Sequence, residues 1–491
     1  MLPKPDPKEI DRKRRLALPH PDIPKQPPEE RIHNFNEVYR PYDAETAMTE
    51  AERCIQCPGA PCVRACPVDN DIPWAFWQLE HGDFNAAAEV FHMTSTMPDV
   101  CGRVCPQAVL CEGACIYTNM KKPPVAIGRL ETFVAEYQKA HGGLPVEKAP
   151  ATGHRVAVVG AAPAGLTVAE LLDKKGHAVT VLEKYGTWGG QAVTVFDAWP
   201  TPGGILRYGI PKFKMDHALV DQKAGYLNKL GVEFVFNIWI GKDITVDELF
   251  EQGFEAVFLG VGAGIGAELK VPGVDLEGVY KATPFLVRAN VDPDKRPQDL
   301  KEPPEIGDRV AVIGGGDTAM DCVRTSVRLG AKEVMCVYRR TEAQMPGNER
   351  DRTFAKEEGV EFKWLTQPIR FIGNDDGRVV AMECLQMELG EPDESGRRRP
   401  VPIEGSEFTM AVDTVVLALG YWPDPLLGET TPEMETHDWG LITIDEETGA
   451  TTREGVFAGG DDVLGPDLVV TAVAQGRTAA EAMHEYLMQR R

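Results

Sequence analysis

The sequence has little that would suit a membrane or a polyanion. No uninterrupted apolar stretch is long enough to span a bilayer. Asp and Glu (75) outnumber Lys and Arg (52), which gives a net charge of -23 at pH 7. Nucleic acids and anionic membrane surfaces attract clustered Lys and Arg, so neither is an expected partner. Residues 1–31 carry charges and prolines where a signal peptide has an apolar core, and we therefore expect a cytoplasmic protein.

Cysteine is scarce outside one region, because eight of the 11 cysteines lie in the first 115 residues. They form two runs, Cys54-x2-Cys57-x4-Cys62-x3-Cys66 and Cys101-x3-Cys105-x5-Cys111-x3-Cys115. Iron–sulfur clusters are held by thiolates at such short spacings, and a cysteine before a proline often ligates the second cluster of a pair. Zinc knuckles and disulfides are the alternatives, but only one C-x2-C occurs and disulfides need an oxidising compartment. The spacing favours iron–sulfur clusters without identifying the metal.

The length of 491 residues corresponds to about three domains. Residues 1–40 are rich in proline and charge without periodicity and are predicted to form an extended arm, with a disordered tail as the alternative. We expect removal of residues 1–30 to weaken partner assembly alone. Residues 41–147 are predicted to be a helical cluster-binding domain, whose clearest helix covers 127–140. A linker at 141–154 ends this domain.

After the linker comes the pattern of a dinucleotide-binding β-α-β unit. A strand at 156–159 leads into a glycine-bearing turn, a helix to about residue 175 and a second strand at 178–182 that ends in Glu183. Such a turn offers backbone N–H groups to a pyrophosphate, and the acid accepts hydrogen bonds from a ribose. A plain α/β crossover is the alternative, since an alanine replaces the middle glycine. The predicted turn contacts are Gly160, Ala162, Pro163, Ala164 and Gly165.

A second unit of this type begins with a strand at 310–313. The strand leads into Gly314-Gly315-Gly316-Asp317, a helix and a strand at 333–338 that ends in Arg339-Arg340 instead of an acid. A 2′-phosphate repels a carboxylate and pairs with guanidinium groups, so this unit is predicted to bind NADP. A solvated arginine pair is the alternative.

Three further segments suit the same scheme. Apolar strands at 256–262 and 415–420 end in glycine, and the strand in GVFAGGD at 455–461 ends in Asp461 before a helix. This arrangement would place Asp461 at the ribityl chain of a flavin and the helix N-terminus at the isoalloxazine carbonyls. We predict an α/β, glutathione-reductase-like fold after the all-α iron–sulfur domain. An FAD domain at 148–264 and 423–491 is interrupted by an NADPH domain at 265–422.

Together these segments resemble the NADPH-dependent glutamate synthase small subunit and its relatives. The relatives include the flavin subunit of electron-bifurcating ferredoxin:NADP oxidoreductases and the N-terminal half of dihydropyrimidine dehydrogenase. The resemblance covers nearly the whole chain from Arg31. It rests on RIHNFNEVY at 31–39, CGRVCP at 101–106, GGILRYGIPKF at 203–213, GGGDTAMDCVRT at 314–325, YRR at 338–340 with Met345-Pro346, and GVFAGGD at 455–461.

The resemblance implies the ligands of two [4Fe-4S] clusters. One cluster would be held by Cys54, Cys57, Cys62 and Cys115. The other would be held by Cys66, Cys105, Cys111 and a non-cysteine ligand at Glu131, for which a solvated helix glutamate is the alternative. Cys101 would be a spare.

The resemblance also implies dinucleotide contacts. Lys214 matches a basic position near the FAD phosphates, with a surface lysine as the alternative. An extra stretch at 191–202 separates Gly189-Gly190 from Gly203-Gly204, and the sequence leaves open which pair lies against the flavin. The remaining FAD contacts would be Gly460, Asp461 and Thr471, and the NADPH contacts would be Gly314, Gly315, Gly316, Asp317, Arg339, Arg340, Ala418, Leu419 and Gly420.

The implied function is an electron-transfer flavoprotein that oxidises NADPH through FAD and the clusters, with no catalytic acid or base required. A disulfide reductase is the rival enzyme, but it needs a redox cysteine pair, and Cys322, Cys336 and Cys384 are widely spaced. A non-catalytic cluster-bearing scaffold is the alternative of another class. No site for an organic substrate is visible, so we expect a hetero-oligomer. The partner would be a larger, glutamate synthase large-subunit-like catalytic subunit or a ferredoxin-linked protein. The alternative within the resemblance is the flavin subunit of an electron-bifurcating ferredoxin:NADP oxidoreductase or of a pyrimidine-reducing complex.

Overall fold

The N-terminal unit is a cluster of short helices joined by cysteine-bearing loops. The computed structural model describes residues 1–6, 8–177, 194–392 and 396–490. Asp43, Asp71 and Asp83 each begin a helix, because their carboxylates accept a hydrogen bond from a backbone N–H of the first turn. The helices are α1 (Arg12–Ala17), α2 (Pro28–Arg31), α3 (Ala44–Glu52), α4 (Pro61–Arg64), α5 (Ile72–Glu80), α6 (Phe84–His92), α7 (Pro98–Val104), α8 (Ile116–Asn119) and α9 (Ile127–Ala140).

The first nucleotide unit contains a parallel five-stranded sheet in the order β16-β4-β1-β2-β3. Its central strands are apolar and fully buried, as expected when helices cover both faces. The strands are β1 (Val156–Val159), β2 (Thr194–Asp197), β3 (Glu233–Phe236), β4 (Ala256–Leu259) and, near the C-terminus, β16 (Val456–Ala458). The helices are α10 (Pro163–Lys174), α11 (Ile205–Tyr208), α12 (Ala218–Leu230), α13 (Val246–Glu251), α17 (Leu426–Thr430), α18 (Asp461–Leu464) and α19 (Val469–Met488).

The second nucleotide unit lies between β4 and β16 in the chain. Its parallel sheet has the order β6-β14-β7-β8-β9, and an antiparallel sheet of β10 to β13 adjoins it. The elements are β6 (Val279–Lys281), α14 (Ala282–Asn290), β7 (Arg309–Ile313), α15 (Asp317–Arg328), β8 (Glu333–Tyr338), α16 (Glu349–Glu357), β9 (Glu361–Trp364), β10 (Thr366–Gly373), β11 (Val379–Pro392), β12 (Arg398–Pro402), β13 (Phe408–Ala411) and β14 (Thr414–Leu417).

The chain crosses between the two nucleotide units twice. The outgoing β5 (Ile265–Gly266) and the returning β15 (Tyr421–Trp422) pair antiparallel at this crossing. Strand β16 then completes the first sheet by pairing with β4. The predicted fold class, an all-α domain followed by one nucleotide-binding unit inserted in another, is confirmed. Across the described ranges, no helix combines the length and apolar character of a membrane span.

The N-terminal arm packs against the rest of the molecule instead of forming a loose tail. The guanidinium of Arg15 is buried, pairs with Glu80 at 2.7 Å and donates to the carbonyl of Cys54 at 2.9 Å. Farther along, the buried Arg31 pairs with Glu358 of the second unit at 2.7 Å. The arm therefore joins the helical unit to the second nucleotide unit.

Candidate cofactor sites

The first set of cysteines surrounds a small cavity in the helical unit. Apolar side chains from α5, α8 and α9 line the rest of this cavity. Burial and the neighbouring thiols raise the pKa of Cys62 to about 12. Thiols crowded in an apolar space become thiolates only with positive charge between them, which iron supplies. This donor set therefore fits an iron–sulfur cluster, and its members are Cys54, Cys57, Cys62 and Cys115, which we call the Cys54 set.

A second set of donors lies deeper in the chain's core. Burial and the nearby carboxyl of Glu131 are among the causes that raise the pKa of Cys66 to about 11. The hydrogen bond with Cys101 raises the pKa of Cys105 and burial raises that of Cys111, and Glu131 adds to both effects, so its carboxyl lies near all three thiols. These four donors, Cys66, Cys105, Cys111 and Glu131, are called the Cys66 set.

Glu131 faces inward from α9, although its position in the sequence also suits a solvated face. Only 6% of the residue is exposed, and its Oε1 accepts a hydrogen bond from Asn70 Nδ2 at 3.3 Å. The amide oxygen of Asn70 in turn accepts from Thr94 Oγ1 at 2.7 Å. Burial raises the pKa of Glu131 well above its ordinary value. A buried carboxyl among three thiols fits the role of fourth ligand, whereas Cys101 lies beside Cys105 as an additional thiol.

The two donor sets differ from a site for a single ion. Among the residues that the structure describes, no three His, Cys, Asp or Glu side chains form a group that could hold one metal ion. A [4Fe-4S] cluster binds each donor to a different iron, so its donors stand farther apart than the ligands of one tetrahedral ion.

The turn between β1 and α10 requires glycine at two positions. Gly160 has a φ of +99°, and a Cβ there would lie 2.3 Å from the carbonyl oxygen of Gly260. A Cβ on Gly165 would lie 2.0 Å from the carbonyl oxygen of Gly160. Helix α10 begins with Pro163 after Ala162, and no side chain caps its first N–H groups. These N–H groups are available to a phosphate.

A strand that the sequence analysis did not predict pairs with β1. The predicted strand at 178–182 and Glu183 lie outside the described residues, and β2 at Thr194–Asp197 pairs with β1. Asp197 therefore follows the second strand, in the position predicted for Glu183. Its carboxylate accepts hydrogen bonds from the N–H of Ala161 at 2.7 Å and of Trp199 at 2.8 Å. Burial raises the pKa of Asp197 to about 6.

The described glycine pair at the turn is Gly203-Gly204. The N–H of Gly203 donates to the carbonyl of Ala161 at 2.8 Å. A Cβ on Gly204, whose φ is +49°, would lie 2.7 Å from the Cβ of Ala162. The other pair, Gly189-Gly190, lies outside the described residues.

A repeat in the sequence could have identified this arrangement. The letters AVTV at 178–181 recur at 192–195. Counting from the first alanine of each copy, the acid, Glu183 or Asp197, is the sixth residue and the glycine pair is the twelfth and thirteenth. The stretch at 191–202 is therefore part of the second copy and is not simply an addition to the fold.

The C-terminal glycine and acid meet the end of β4. Gly460 has a φ of +105°, and its N–H donates to Gln475 Oε1 at 2.6 Å. Burial raises the pKa of Asp461 to about 6. Beside it, Asp462 accepts from the N–H of Val261 at 3.2 Å, and its Oδ1 is buried without a hydrogen-bond partner. The hydroxyl of Thr471 is already hydrogen-bonded within the protein, because its Oγ1 donates to the carbonyl of Leu468 at 2.6 Å.

The second turn, after β7, is equally tight. A Cβ on Gly314, whose φ is +147°, would lie 2.1 Å from the carbonyl oxygen of Ala418, and one on Gly315 would lie 2.6 Å from the ring of Tyr338. Helix α15 follows with Gly316 as its uncapped N-terminal residue. Asp317 accepts from the N–H of Asn348 at 2.7 Å. After Ala418, the exposed Leu419 and Gly420 continue from the end of β14.

The two arginines after β8 have different surroundings. Arg339 is exposed, whereas Arg340 is 7% exposed and its Nε donates to the carbonyl of Arg398 at 2.8 Å. Arg339 is therefore the more accessible of the two guanidinium groups.

Lys214 does not lie on the surface. Its Nζ pairs with Asp321 at 3.0 Å and with Asp351 at 3.1 Å, both in the second nucleotide unit. Lys214 therefore links the two nucleotide units, and its two ion-pair partners are carboxylates of the second unit and not groups of the first-unit turn.

Comparison with known proteins gives two family matches. Residues 31–143 match the family described as dihydropyrimidine dehydrogenase domain II, 4Fe-4S cluster. Residues 154–476 match the pyridine nucleotide-disulphide oxidoreductase family. Among solved structures, Mycobacterium tuberculosis FprA in complex with NADPH aligns with a TM-score of 0.54 at 21% identity, covering 69% of this chain and 85% of that one. That likeness shows the fold of the nucleotide units.

Full-length relatives agree with these matches. The chain is 41% identical over 475 residues to the glutamate synthase [NADPH] small chain of Halomonas elongata, covering 95% of this chain and 96% of the relative. It is 39% identical over 479 residues to the Escherichia coli small chain, covering 96% and 98%. It is 35% identical to the beta subunit of the NADP(+)-dependent formate dehydrogenase of Moorella thermoacetica, covering 87% of this chain and 60% of that subunit. The chain therefore belongs to the glutamate synthase [NADPH] small chain family.

Proposed function

We propose that the chain oxidises NADPH and passes the electrons singly to a partner subunit, as the electron-input part of a larger enzyme. The observation that carries this proposal is the combination, in one chain, of two dinucleotide turns with two donor sets suited to iron–sulfur clusters. When bound, FAD exchanges a hydride with NADPH and single electrons with iron–sulfur clusters. The chain's own residues bind and orient these groups.

The binding residues are divided between the units. In the first unit, the uncapped start of α10 would receive the FAD pyrophosphate, and Asp197 would be the acid nearest the adenosine ribose. Asp461 would face the flavin from the carboxyl end of β16. In the second unit, the start of α15 would receive the NADPH pyrophosphate, with Arg339 at the 2′-phosphate.

The positions of the donor sets support an order for electron flow. Cys66, Cys101 and Cys105 pack in the same apolar core as α10, α11 and α19 of the first nucleotide unit. The Cys54 set packs in the core of the helical unit, together with Cys111 of the Cys66 set. Arg477 on α19 also donates to the carbonyls of Val68 at 3.0 Å and Thr94 at 2.9 Å, which fixes the loops beside the Cys66 set to the first unit. The Cys66 set is thus adjacent to the flavin unit, and the Cys54 set is farther away.

The number of clusters is tested by chemical analysis. We expect about eight iron and eight acid-labile sulfur atoms per chain in anaerobically purified protein, because each donor set is complete for one [4Fe-4S] cluster. Stoichiometric zinc with little iron would contradict the proposal.

The role of Glu131 can be separated from that of helix α9. We expect Glu131→Ala to lose the cluster held by the Cys66 set while the other cluster and FAD remain, as measured by iron content and EPR. Glu136→Ala on the same helix is the matched control, because Glu136 pairs with Arg103 at 3.0 Å and touches no predicted ligand in either set. Full iron content in the Glu131 variant would remove this residue from the ligand set.

We propose only the class of protein that accepts the electrons. A glutamate synthase large-subunit-like partner agrees with the nearly full-length similarity to small chains, and the similarity to a formate dehydrogenase beta subunit keeps a ferredoxin-linked or other redox partner as the alternative. A non-catalytic scaffold is distinguished by one assay. The purified chain should reduce an artificial dye with NADPH, and a scaffold would not.

A further inference from the structure

The Cys54 set lies near the surface that the N-terminal arm forms. All four of its cysteine residues are partly exposed, as is Cys66, whereas Cys101, Cys105 and Cys111 are buried. Helix α1 lies over its loop, because Arg12 donates to the carbonyls of Ile55 at 3.2 Å and Gln56 at 3.4 Å. Under the proposed function, on which this inference rests, the Cys54 set is the donor set that packs outside the core of the flavin unit.

Basic side chains surround this position. Arg12 is close enough to oppose the rise that burial causes in the pKa of Cys57. Lys122 donates to the carbonyl of Leu16 at 3.1 Å, which brings the segment after α8 against α1. Arg64 on α4 bonds to the carbonyl of Gly59, in the loop between two ligands. We define the basic face as Arg12, Lys13, Arg64, Lys121 and Lys122, of which all but Arg12 are exposed and Arg12 is half-buried.

The nearby acids leave this face positive. Glu52 is engaged with Arg14, and Asp11 accepts from the N–H of Arg14 at 3.0 Å as the cap of α1. The buried Glu80 pairs with Arg15. The whole chain has a net charge of -23, whereas none of the five cations of the basic face forms an ion pair with a residue that the structure describes.

We propose that the basic face is the docking surface for the electron-accepting partner, and that the partner presents an acidic surface around its own redox centre. Oppositely charged patches steer two proteins into the correct orientation and raise the association rate. The exposed Met120 next to Lys121 supplies an apolar contact within the same surface. The alternative is that these cations are solvated and bind no partner protein, and the experiment below distinguishes the two.

Charged electron acceptors of opposite sign provide the test. The variant Lys13→Glu/Lys121→Glu/Lys122→Glu is compared with Lys229→Glu/Lys242→Glu/Lys332→Glu, which alters the total charge equally at exposed sites in the nucleotide units. At low ionic strength we expect the first variant to reduce ferricyanide about tenfold more slowly than the wild type and hexaammineruthenium(III) no more slowly, while the control matches the wild type. Equal ferricyanide rates in both variants and the wild type would overturn the docking surface.

A second measurement does not depend on turnover. The EPR signal that survives Glu131→Ala should relax faster with the anion tris(oxalato)chromate than with the cation tris(ethylenediamine)chromium, and the basic-face variant should reverse this preference. No difference between the two relaxing agents would contradict the proposal. Bleaching of the flavin by NADPH in stopped-flow is expected in every variant, and its absence from the wild type would refute the proposed function instead.

Discussion

At the scale of single residues, the clearest case is the acid that follows the second strand of the first nucleotide unit. Asp197 accepts two backbone hydrogen bonds at the turn, whereas Glu183 lies outside the described residues. We expect Asp197→Asn to weaken FAD binding at least tenfold. The NH₂ group of the asparagine would face one of the two backbone N–H donors, and leaving that buried donor without an acceptor costs about 1 to 3 kcal/mol. Glu183→Gln is the matched control and should bind FAD like the wild type. Flavin fluorescence titration distinguishes them, and the opposite result would reassign the acid.

The two arginines after β8 are expected to behave differently. Arg339→Ala should raise the KM for NADPH on the order of 10-fold to 100-fold and leave that for NADH unchanged, since a charge-assisted contact to phosphate contributes about 1.5 to 3 kcal/mol. Arg340→Ala should also lower the Tm, because it removes the bond to the carbonyl of Arg398 from a buried position. Steady-state kinetics with both nucleotides and a thermal melt test this difference. Equal use of NADPH and NADH by the wild type would contradict the NADP assignment.

At the scale of elements, the repeated segment offers two copies of one strand and one glycine pair. Deletion of residues 177–190 removes the first copy and leaves β2, Asp197 and Gly203-Gly204 in place. We expect this 14-residue deletion to retain a full complement of FAD, because the strand that pairs with β1 is unchanged. Flavin stoichiometry and the Tm are the measurements. Loss of FAD would show that the first copy is needed in the sheet.

Helix α1 is a short element with a large expected effect. Arg15 is buried with Glu80, and its guanidinium also donates to the carbonyls of Glu52 and Cys54. Arg15→Ala should destabilise the helical unit by about 3 to 5 kcal/mol, because it removes the guanidinium that pairs with the buried carboxylate of Glu80. We also expect it to reduce occupancy of the Cys54 set. Chemical denaturation and iron analysis test this, with the exposed Lys13→Ala as the control.

This packing revises the expectation that residues 1–30 serve partner assembly alone. Their removal takes away Arg15 and the apolar side chains of Leu16 and Ile23 that pack against the helical core. We therefore expect the deletion to impair the cluster itself as well as assembly.

At the scale of the whole molecule, we propose that the chain accepts electrons from NADPH and that the chemistry on an organic substrate belongs to another subunit. We expect the isolated protein to reduce ferricyanide or a tetrazolium dye with NADPH and to form no glutamate from 2-oxoglutarate and glutamine. The measurement is product formation by the purified single chain. Glutamate synthesis, or reduction of a pyrimidine, without another subunit would refute the electron-input function.

The sequence by itself determined the local features of this protein. Cysteine spacing, the glycine turns and the order of strands and helices predict the cluster domain and the inserted nucleotide units, because each of these motifs is complete within a short stretch of chain. The arginine pair after β8 is also a local feature, since the prediction of NADP binding depends only on its position at the end of a strand.

Only the tertiary structure decided which of several suitable residues meet. It paired the strand that ends in Asp197 with β1, turned Glu131 inward against Asn70, and gave Lys214 two carboxylate partners from the second unit. It also packed the polar arm against the Cys54 loop. Each of these outcomes depends on contacts between residues distant in sequence, and local patterns carry no information about burial or pairing at that range.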